Sequence, residues 1–563
     1  MGSTSKISLF VSLIVLSSCL SPDKRKEDYQ AEVDSLIAAQ VPEDGPGCAV
    51  AIVRDGTIYY TTEQGLANLE YEIPVARETP FHVASVSKQF TAFAILLLEQ
   101  EGKLSLDDDI RKYLPNIPAF DQTITIRHLA THTSGMRDQW ELLAMAGWRL
   151  DDVITKSQII RMLEHQQDLN FEPGAEYLYC NSGFTLLAEI VAKVSGQSFP
   201  EFCKERIFIP LEMTNTHFHD DHQMVVKNRA YSYYLSEDST YKKSVLSYAN
   251  CGATSLFTTA EDLGKWLINL EAGNLGGEEL LEKIHERGIL NSGDTIGYSL
   301  GLSHGRYRGL LLIGHSGGDA GFRSYAGRFP DQRLGVVVLQ NAAYANPSVL
   351  SREIAAVFLE QQMDPVEETE PTEKPDEEDF ITVDPETLKK YEGFYELQPY
   401  DIYAKIFMQD DHLWLEQGWN GRKNVLRALS ESRFNIEKED AYAVFNENDE
   451  REVILTIEFA ELTVTGKRVA SVTELSEGLE AFEGRYYSEE LGTFYDLTVQ
   501  NDTLVALHRR HEPITLTRIR KDGFRGNAWW FQKLEFQREG GEITGFLLSG
   551  SRVRNLRFEK KQY

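Results

Sequence analysis

Ser85 and Lys88 stand three residues apart in "VASVSKQFTAFAILLLEQ". On a helix that spacing puts both side chains on one face, about one turn apart. A lysine held in a dry site, near other positive charge, gives up its proton more readily than one in water. Lys88 could then take the hydroxyl proton of Ser85 or lower its pKa. The backbone N–H of Ser85, at a helix N-terminus, could face a developing oxyanion. The spacing alone is not selective, because Ser3–Lys6 and Ser21–Lys24 share it. Ser85 differs in having an apolar helix behind it and a β-rich segment before it. On this element alone a capping serine with a solvent-facing lysine remains the alternative.

Two further groups of residues could complete a site. Tyr179-Cys180-Asn181 follows "FEPGAEYL". A phenol beside an ammonium group is a usable base, and an asparagine amide can hold a substrate carbonyl. Tyr248-Ala249-Asn250 and Tyr344-Ala345-Asn346 have the same pattern, so the residues alone leave three choices. His315-Ser316-Gly317-Gly318 lies in "LLLIGHSGGDAGFRSYAGRFP" and is the only His-x-Gly of the chain. Its glycines permit close approach of backbone to a ligand, and a plain turn at a strand end is the other reading. His132, in "LATHTSGM", is a weaker candidate and reads equally as a hydrogen-bonded loop histidine.

Taken in order, Ser85-x-x-Lys88, Tyr179-x-Asn181 and His315-x-Gly317 resemble the serine β-lactamase and penicillin-binding-protein superfamily. Within it they are similar to the branch of class C β-lactamases, D-aminopeptidases, DD-peptidases and related esterases. "LEQEGKLSLDDDIRKYLPNIP", "ITIRHLATHTSGM" and "SLFTTAEDLGKWL" carry the same resemblance, over residues 30–361. It implies an α/β (α+β) serine hydrolase domain with an antiparallel sheet flanked by helices, and a nucleophile Ser85 that becomes acylated. It also implies that Lys88 and Tyr179 share activation, that Asn181 orients the substrate, and that the N–H groups of Ser85 and Gly318 form the oxyanion hole. It implies amide or ester hydrolysis, as by a D-aminopeptidase or DD-peptidase, with a carboxylesterase or a non-hydrolysing acyl-trapping envelope protein as alternatives. No metal or other cofactor is called for. His315 stands where many relatives carry lysine. A largely neutral histidine is a poor partner for a substrate carboxylate, which favours esters or substrates recognised through an amine.

The elements that must position these residues are legible in part. The Asp55-Gly56 turn joins two β-rich runs into a hairpin. Apolar periodicity predicts helices over 87–101, 126–131, 182–195 and 260–270, the third capped by Ser182 or Asn181 and ended by Gly196. "RLGVVVLQN" (333–341) reads as a buried strand. Four cysteines, Cys48, Cys180, Cys203 and Cys251, allow three pairings or free thiols.

With 563 residues the chain is too long for one core. A net charge of −30 and the lack of a basic stripe argue against a nucleic-acid partner. Residues 1–19 combine Lys6, the apolar "ISLFVSLIVL" and "LSSC". They read as a bacterial lipoprotein signal with lipidation at Cys19, which implies export, a membrane partner through that anchor and a cell-envelope location. Residues 20–29 read as a tether. The acidic, proline-bearing stretch 362–382 reads as a linker. Beyond it, "YEGFYELQPYDIYAKIFMQDDHLWLE" and "FEGRYYSEELGTFYDLTVQNDTLVAL" align without a gap. This repeat predicts two all-β, barrel-like modules at 383–474 and 478–563, in a layout similar to that of D-aminopeptidases. "HFHDDH" (217–222) reads as a surface connection rather than a metal site, and Trp529–Trp530 as module core rather than a sugar platform.

Overall fold

The structure is a computed structural model. It describes residues 22–236, 238–365, 380–398, 402–417, 422–437, 439, 441–448, 451–459, 463–469 and 478–561. The signal expected at 1–19, with Cys19, and most of the acidic linker lie outside these residues.

Six antiparallel strands form the sheet of the first domain: Cys48–Arg54 (β1), Thr57–Gln64 (β2), Ser303–Tyr307 (β3), Leu310–Asp319 (β4), Phe322–Phe329 (β5) and Leu334–Gln340 (β6). Their order is β3-β4-β5-β6-β1-β2. Alternation along β1 divides its side chains between two cores. Val50 and Ile52 join one apolar cluster, and Ala49, Ala51 and Val53 join the other. β6 pairs with β1 from Cys48↔Gln340 to Arg54↔Leu334 and is buried throughout. A strand covered on both faces needs no polar side, which explains the unbroken apolar run in the sequence.

Five longer helices and one short one matter for the site: Pro22–Gln40 (α1), Ser87–Gln100 (α2), Gln139–Met145 (α3), Asn181–Ser195 (α4), Ala260–Ala272 (α5) and Pro347–Leu359 (α6). α1 and α6 cover one face of the sheet with Val33, Ile37, Leu350 and Ile354. α2, α4 and α5 build the core on the other. From Pro22 on, the segment read as a tether is therefore helical. Tyr29 packs on Phe358 at 4.9 Å, and Asp34 accepts hydrogen bonds from Tyr60 and Thr62 of β2. Those contacts to residues distant in sequence give a polar helix a surface to lie on. α4 ends as expected at Gly196, with φ +74°. Its N-terminus departs from expectation. Neither Asn181 nor Ser182 caps it, and Cys180 holds the cap position without a side-chain bond.

The repeat closes into two antiparallel barrels of eight strands, from Gly393 to Arg468 and from Gly484 to Lys561. Their correspondence reaches single hydrogen bonds. Tyr395 donates to the Tyr391 carbonyl at 2.8 Å, and Tyr486 to the Phe482 carbonyl at 2.9 Å. The Glu392 carboxylate accepts from Met408 N at 2.8 Å, and that of Glu483 from Val499 N at 2.7 Å. Gly393 and Gly484 hold φ of +144° and +148°, a region closed to other residues.

The two barrels are not equivalent in placement. The first has its own core. The second shares one continuous apolar cluster with the first domain. Across that junction Arg137 pairs with Glu490 at 2.5 Å, with both side chains buried. Tyr495 donates to the Met145 carbonyl at 3.0 Å. Removing one partner of a buried ion pair strands the other charge. Arg137→Met should therefore cost about 3–5 kcal/mol, read as a lower denaturant midpoint, while Arg137→Met/Glu490→Leu should recover most of the loss.

Candidate active site

Ser85 sits on a short 3₁₀ turn, Ala84–Val86, that runs into α2. Ala84 before it holds φ +47°, a costly conformation for a residue with a Cβ. The turn is pinned from three sides. Ser87 Oγ donates to the Ala84 carbonyl at 2.5 Å, Ser324 Oγ to the Val83 carbonyl at 2.8 Å, and Leu256 N to Ser87 Oγ at 3.1 Å. Gly317 of β4 lies against it, and a Cβ there would collide with Val83 and Ser324 and come within 3.1 Å of Ser85 N. Glycine at 317 is thus a packing requirement. Ser85 and Gly318 both line a cavity of about 780 Å³.

Lys88 is fully buried, and its Nζ has three neighbours: Asn181 Oδ1 at 2.8 Å, the Ala253 carbonyl at 2.8 Å and Ser85 Oγ at 3.1 Å. Burial lowers its pKa to about 7, with the positive charge of Arg552 acting in the same direction against the carboxylates of Asp138 and Asp319. A neutral amine has two N–H bonds and one lone pair. Two of its neighbours are carbonyl oxygens, which only accept, so the N–H bonds go to them. The lone pair is left facing the Ser85 hydroxyl.

Asn181 can serve as an acceptor because its amide is fixed. Asp138 Oδ2 accepts from Asn181 Nδ2 at 2.8 Å and from Asn181 N at 2.7 Å, which forces Oδ1 toward Lys88. The same carboxylate thereby caps α4 from outside its own segment. Asp138 is itself the cap of α3, accepting from Trp140 N at 3.0 Å.

Tyr179 lies with its ring centroid 4.8 Å from Lys88 Nζ and 4.2 Å from the ring of His132. Its hydroxyl is hydrogen-bonded to the Ser85 side chain, yet burial still drives its pKa well above the usual phenol value. The phenol is protonated at neutral pH. His132 accepts from Cys180 N at 3.0 Å, and burial keeps its ring neutral, so it supports the Tyr179–Asn181 segment rather than reacting. Of the other tyrosines in this pattern, Tyr248 lines the cavity with its hydroxyl on Asp319, and Tyr344 is half exposed beside Tyr241.

His315 comes to the cavity from β4. Its Nδ1–H donates to the Ser316 carbonyl at 2.6 Å, so Nε2 accepts from Tyr298 Oη at 3.0 Å. Burial and the nearby Lys88 push its pKa down to about 4, and it carries no charge at pH 7.

The cavity also has a wall the sequence reading missed. Trp529, Ser551 and Arg552 of the second barrel line it. Trp529, expected in the module core, faces the catalytic residues, whereas Trp530 packs on His511 at 4.7 Å. The signal in the sequence was the basic turn Ser551-Arg552-Val553-Arg554 between two strand patterns. Only the fold shows which surface it meets. Elsewhere, His217 stacks on Phe257, and among the described residues no group of three or more His, Cys, Asp or Glu side chains could hold a metal. Cys48, Cys180, Cys203 and Cys251 are buried free thiols.

The fold and this grouping of residues define a β-lactamase-type serine hydrolase. The Beta-lactamase family profile matches residues 33–360, and the chain belongs to that family. Penicillin-binding protein 4* of Bacillus subtilis is 27% identical over 72% of this chain and 94% of its own length. A D-aminopeptidase of Gluconobacter oxydans is 27% identical over 61% of this chain and 65% of its own length. Among solved structures, the octameric penicillin-binding protein homologue from Pyrococcus abyssi is similar to 79% of this chain and 100% of its own, with a TM-score of 0.54 and 26% identity.

Asp138→Asn would let the Asn181 amide turn over and present its NH₂ to Lys88. Turnover should then fall about 100-fold through misplacement of the amine, with circular dichroism unchanged. Steady-state kinetics on any turned-over ester checks it.

Proposed function

We propose that the protein cleaves amide or ester bonds through an acyl-enzyme on Ser85, with peptides containing D-amino acids as the leading substrate class. The single observation that carries the mechanism is the set of contacts at Lys88 Nζ, where two carbonyl acceptors leave the lone pair for the Ser85 proton. Ser85 Oγ attacks the carbonyl carbon as Lys88 takes its proton. The N–H groups of Ser85 and Gly318 receive the oxyanion. The protonated Tyr179 phenol donates to the leaving amine or alcohol and regains a proton from Lys88. Water then attacks the ester carbonyl, the same groups act in reverse, and the acid product leaves.

The D-amino-acid preference is supported by the D-aminopeptidases among the relatives. Esterase activity is the second reading, favoured by a neutral His315 at the strand position where a fixed cation would meet a carboxylate. The proposal includes export and a lipid anchor at Cys19, supported by the sequence of residues 1–19.

Intact-protein mass spectrometry with a fluorophosphonate tests the assignment. One adduct is expected on the protein and none on Ser85→Ala, and labelling of that variant would overturn it. The base must be neutral to act, so kcat/KM should rise with pH through about 7, following the lowered pKa of Lys88. Lys88→Arg, charged at every accessible pH, should remove that limb together with the activity.

A further inference from the structure

The catalytic cavity contains a cation that the catalytic domain does not supply. Arg552 lies on the turn between the last two strands of the second barrel, Glu542–Ser549 and Leu556–Lys561. Its side chain lines the cavity with Ser85, Tyr179 and His315. Its Cζ is 5.0 Å from the centroid of the Tyr179 ring, the ring that also receives Lys88 Nζ. The main chain at this residue is held firmly. Arg552 N donates to Glu141 Oε2 at 2.8 Å, and its carbonyl accepts from Asp138 N at 3.2 Å and Asn170 Nδ2 at 2.9 Å. Ser551 Oγ donates to the other Glu141 oxygen.

The guanidinium itself is not so occupied. Among the described residues, no carboxylate or carbonyl accepts a hydrogen bond from it. The charges of Asp138 and Glu141 act on it, but a guanidinium offers five N–H donors and no acceptor, so what it lacks is a hydrogen-bonded anion. The other charged groups of the cavity already have partners. Asp138 is taken by Asn181 and Trp140, and Glu141 by Ser551 and the Arg552 main chain. Asp319 is taken by Thr254, Tyr248 and His82. Arg323 donates to the Ala320 and Phe322 carbonyls. Each of these carboxylates already accepts two or three hydrogen bonds from the protein, whereas a substrate carboxylate finds a planar donor fork with none of its hydrogens so accepted.

We propose that Arg552 binds a carboxylate of the substrate, so that this hydrolase selects substrates bearing a carboxylate beside the scissile bond. The proposal rests on the Ser85 acyl-enzyme reading and deepens it. It places the missing strand cation on another module: the β4 histidine is neutral, and the second barrel supplies the positive charge to the same cavity.

The test uses the protein with both barrels and two pairs of probe esters. p-Nitrophenyl hydrogen glutarate and p-nitrophenyl valerate place or omit a carboxylate on the acyl side, and 3-carboxyphenyl acetate and phenyl acetate do so on the leaving-group side. In at least one pair the carboxylate ester should have the higher kcat/KM. Arg552→Ala should shrink that ratio by about 10- to 100-fold, the size of a charge-assisted hydrogen-bonded contact, and Arg552→Lys should keep part of it. Equal ratios in the protein and in Arg552→Ala would overturn the proposal. Calorimetry on Ser85→Ala gives a reading free of chemistry: N-acetyl-D-alanine should bind more tightly than N-acetyl-D-alaninamide, and the difference should vanish in Ser85→Ala/Arg552→Ala. No difference between the two ligands would overturn it as well. Fluorophosphonate labelling separates the failures. An adduct on Ser85 with no carboxylate preference sinks the Arg552 assignment alone, whereas no adduct sinks the acyl-enzyme reading while calorimetry still judges Arg552.

Discussion

The rest of the structure depends on the desolvation of one amine. Lys88 has no contact with solvent, and burial is the largest influence on its proton affinity. A charged amine in that position would need acceptors on all three of its hydrogens. Ser85 Oγ, Asn181 and Ala253 could supply them, but a pKa near 7 makes the neutral amine available at ordinary pH. Everything adjacent serves that state: α2 places the amine, α4 brings Asn181, and the loop before Ser255 brings the Ala253 carbonyl. The cost is an unfavourable charge environment in the core, of a kind that functional sites retain and packing alone would remove.

Asp138 links three parts of this arrangement. It caps α3, substitutes for the cap that α4 lacks and sets the orientation of the Asn181 amide. Its own backbone N–H donates to Arg552 of the second barrel. The barrel is therefore structurally continuous with the catalytic core, and its docking bears on the geometry at Ser85. The first barrel, by contrast, meets the second through polar pairs such as Lys533–Glu396 and Arg525–Glu416 and keeps a separate core. Identical folds with matching internal hydrogen bonds have thus taken different positions: the second forms a wall of the catalytic cavity, and among the described residues the first contributes none of its lining.

The sequence by itself determined the elements whose signals are local. Helical periodicity located 87–100, 181–195 and 260–272 within a residue or two, the Asp-Gly turn located the hairpin, and an ungapped repeat announced two β-rich modules, barrels or sandwiches, of which the fold shows closed barrels. The ordered motifs likewise picked out Ser85, Lys88, Tyr179, Asn181 and His315, which the fold gathers around one cavity. These signals survive because they depend on neighbours close in the chain or on fixed spacing. Only the tertiary structure decided the rest. It made a helix of the polar segment after residue 21, because Phe358 and β2 give it a surface. It took the cap of α4 from Asp138, 43 residues away, and moved Trp529 and Arg552 from an apparent appendage into the site. A desolvated lysine, a neutral histidine and a guanidinium seeking an anion are properties of the space between segments, and that space is set only when distant parts of the chain pack together.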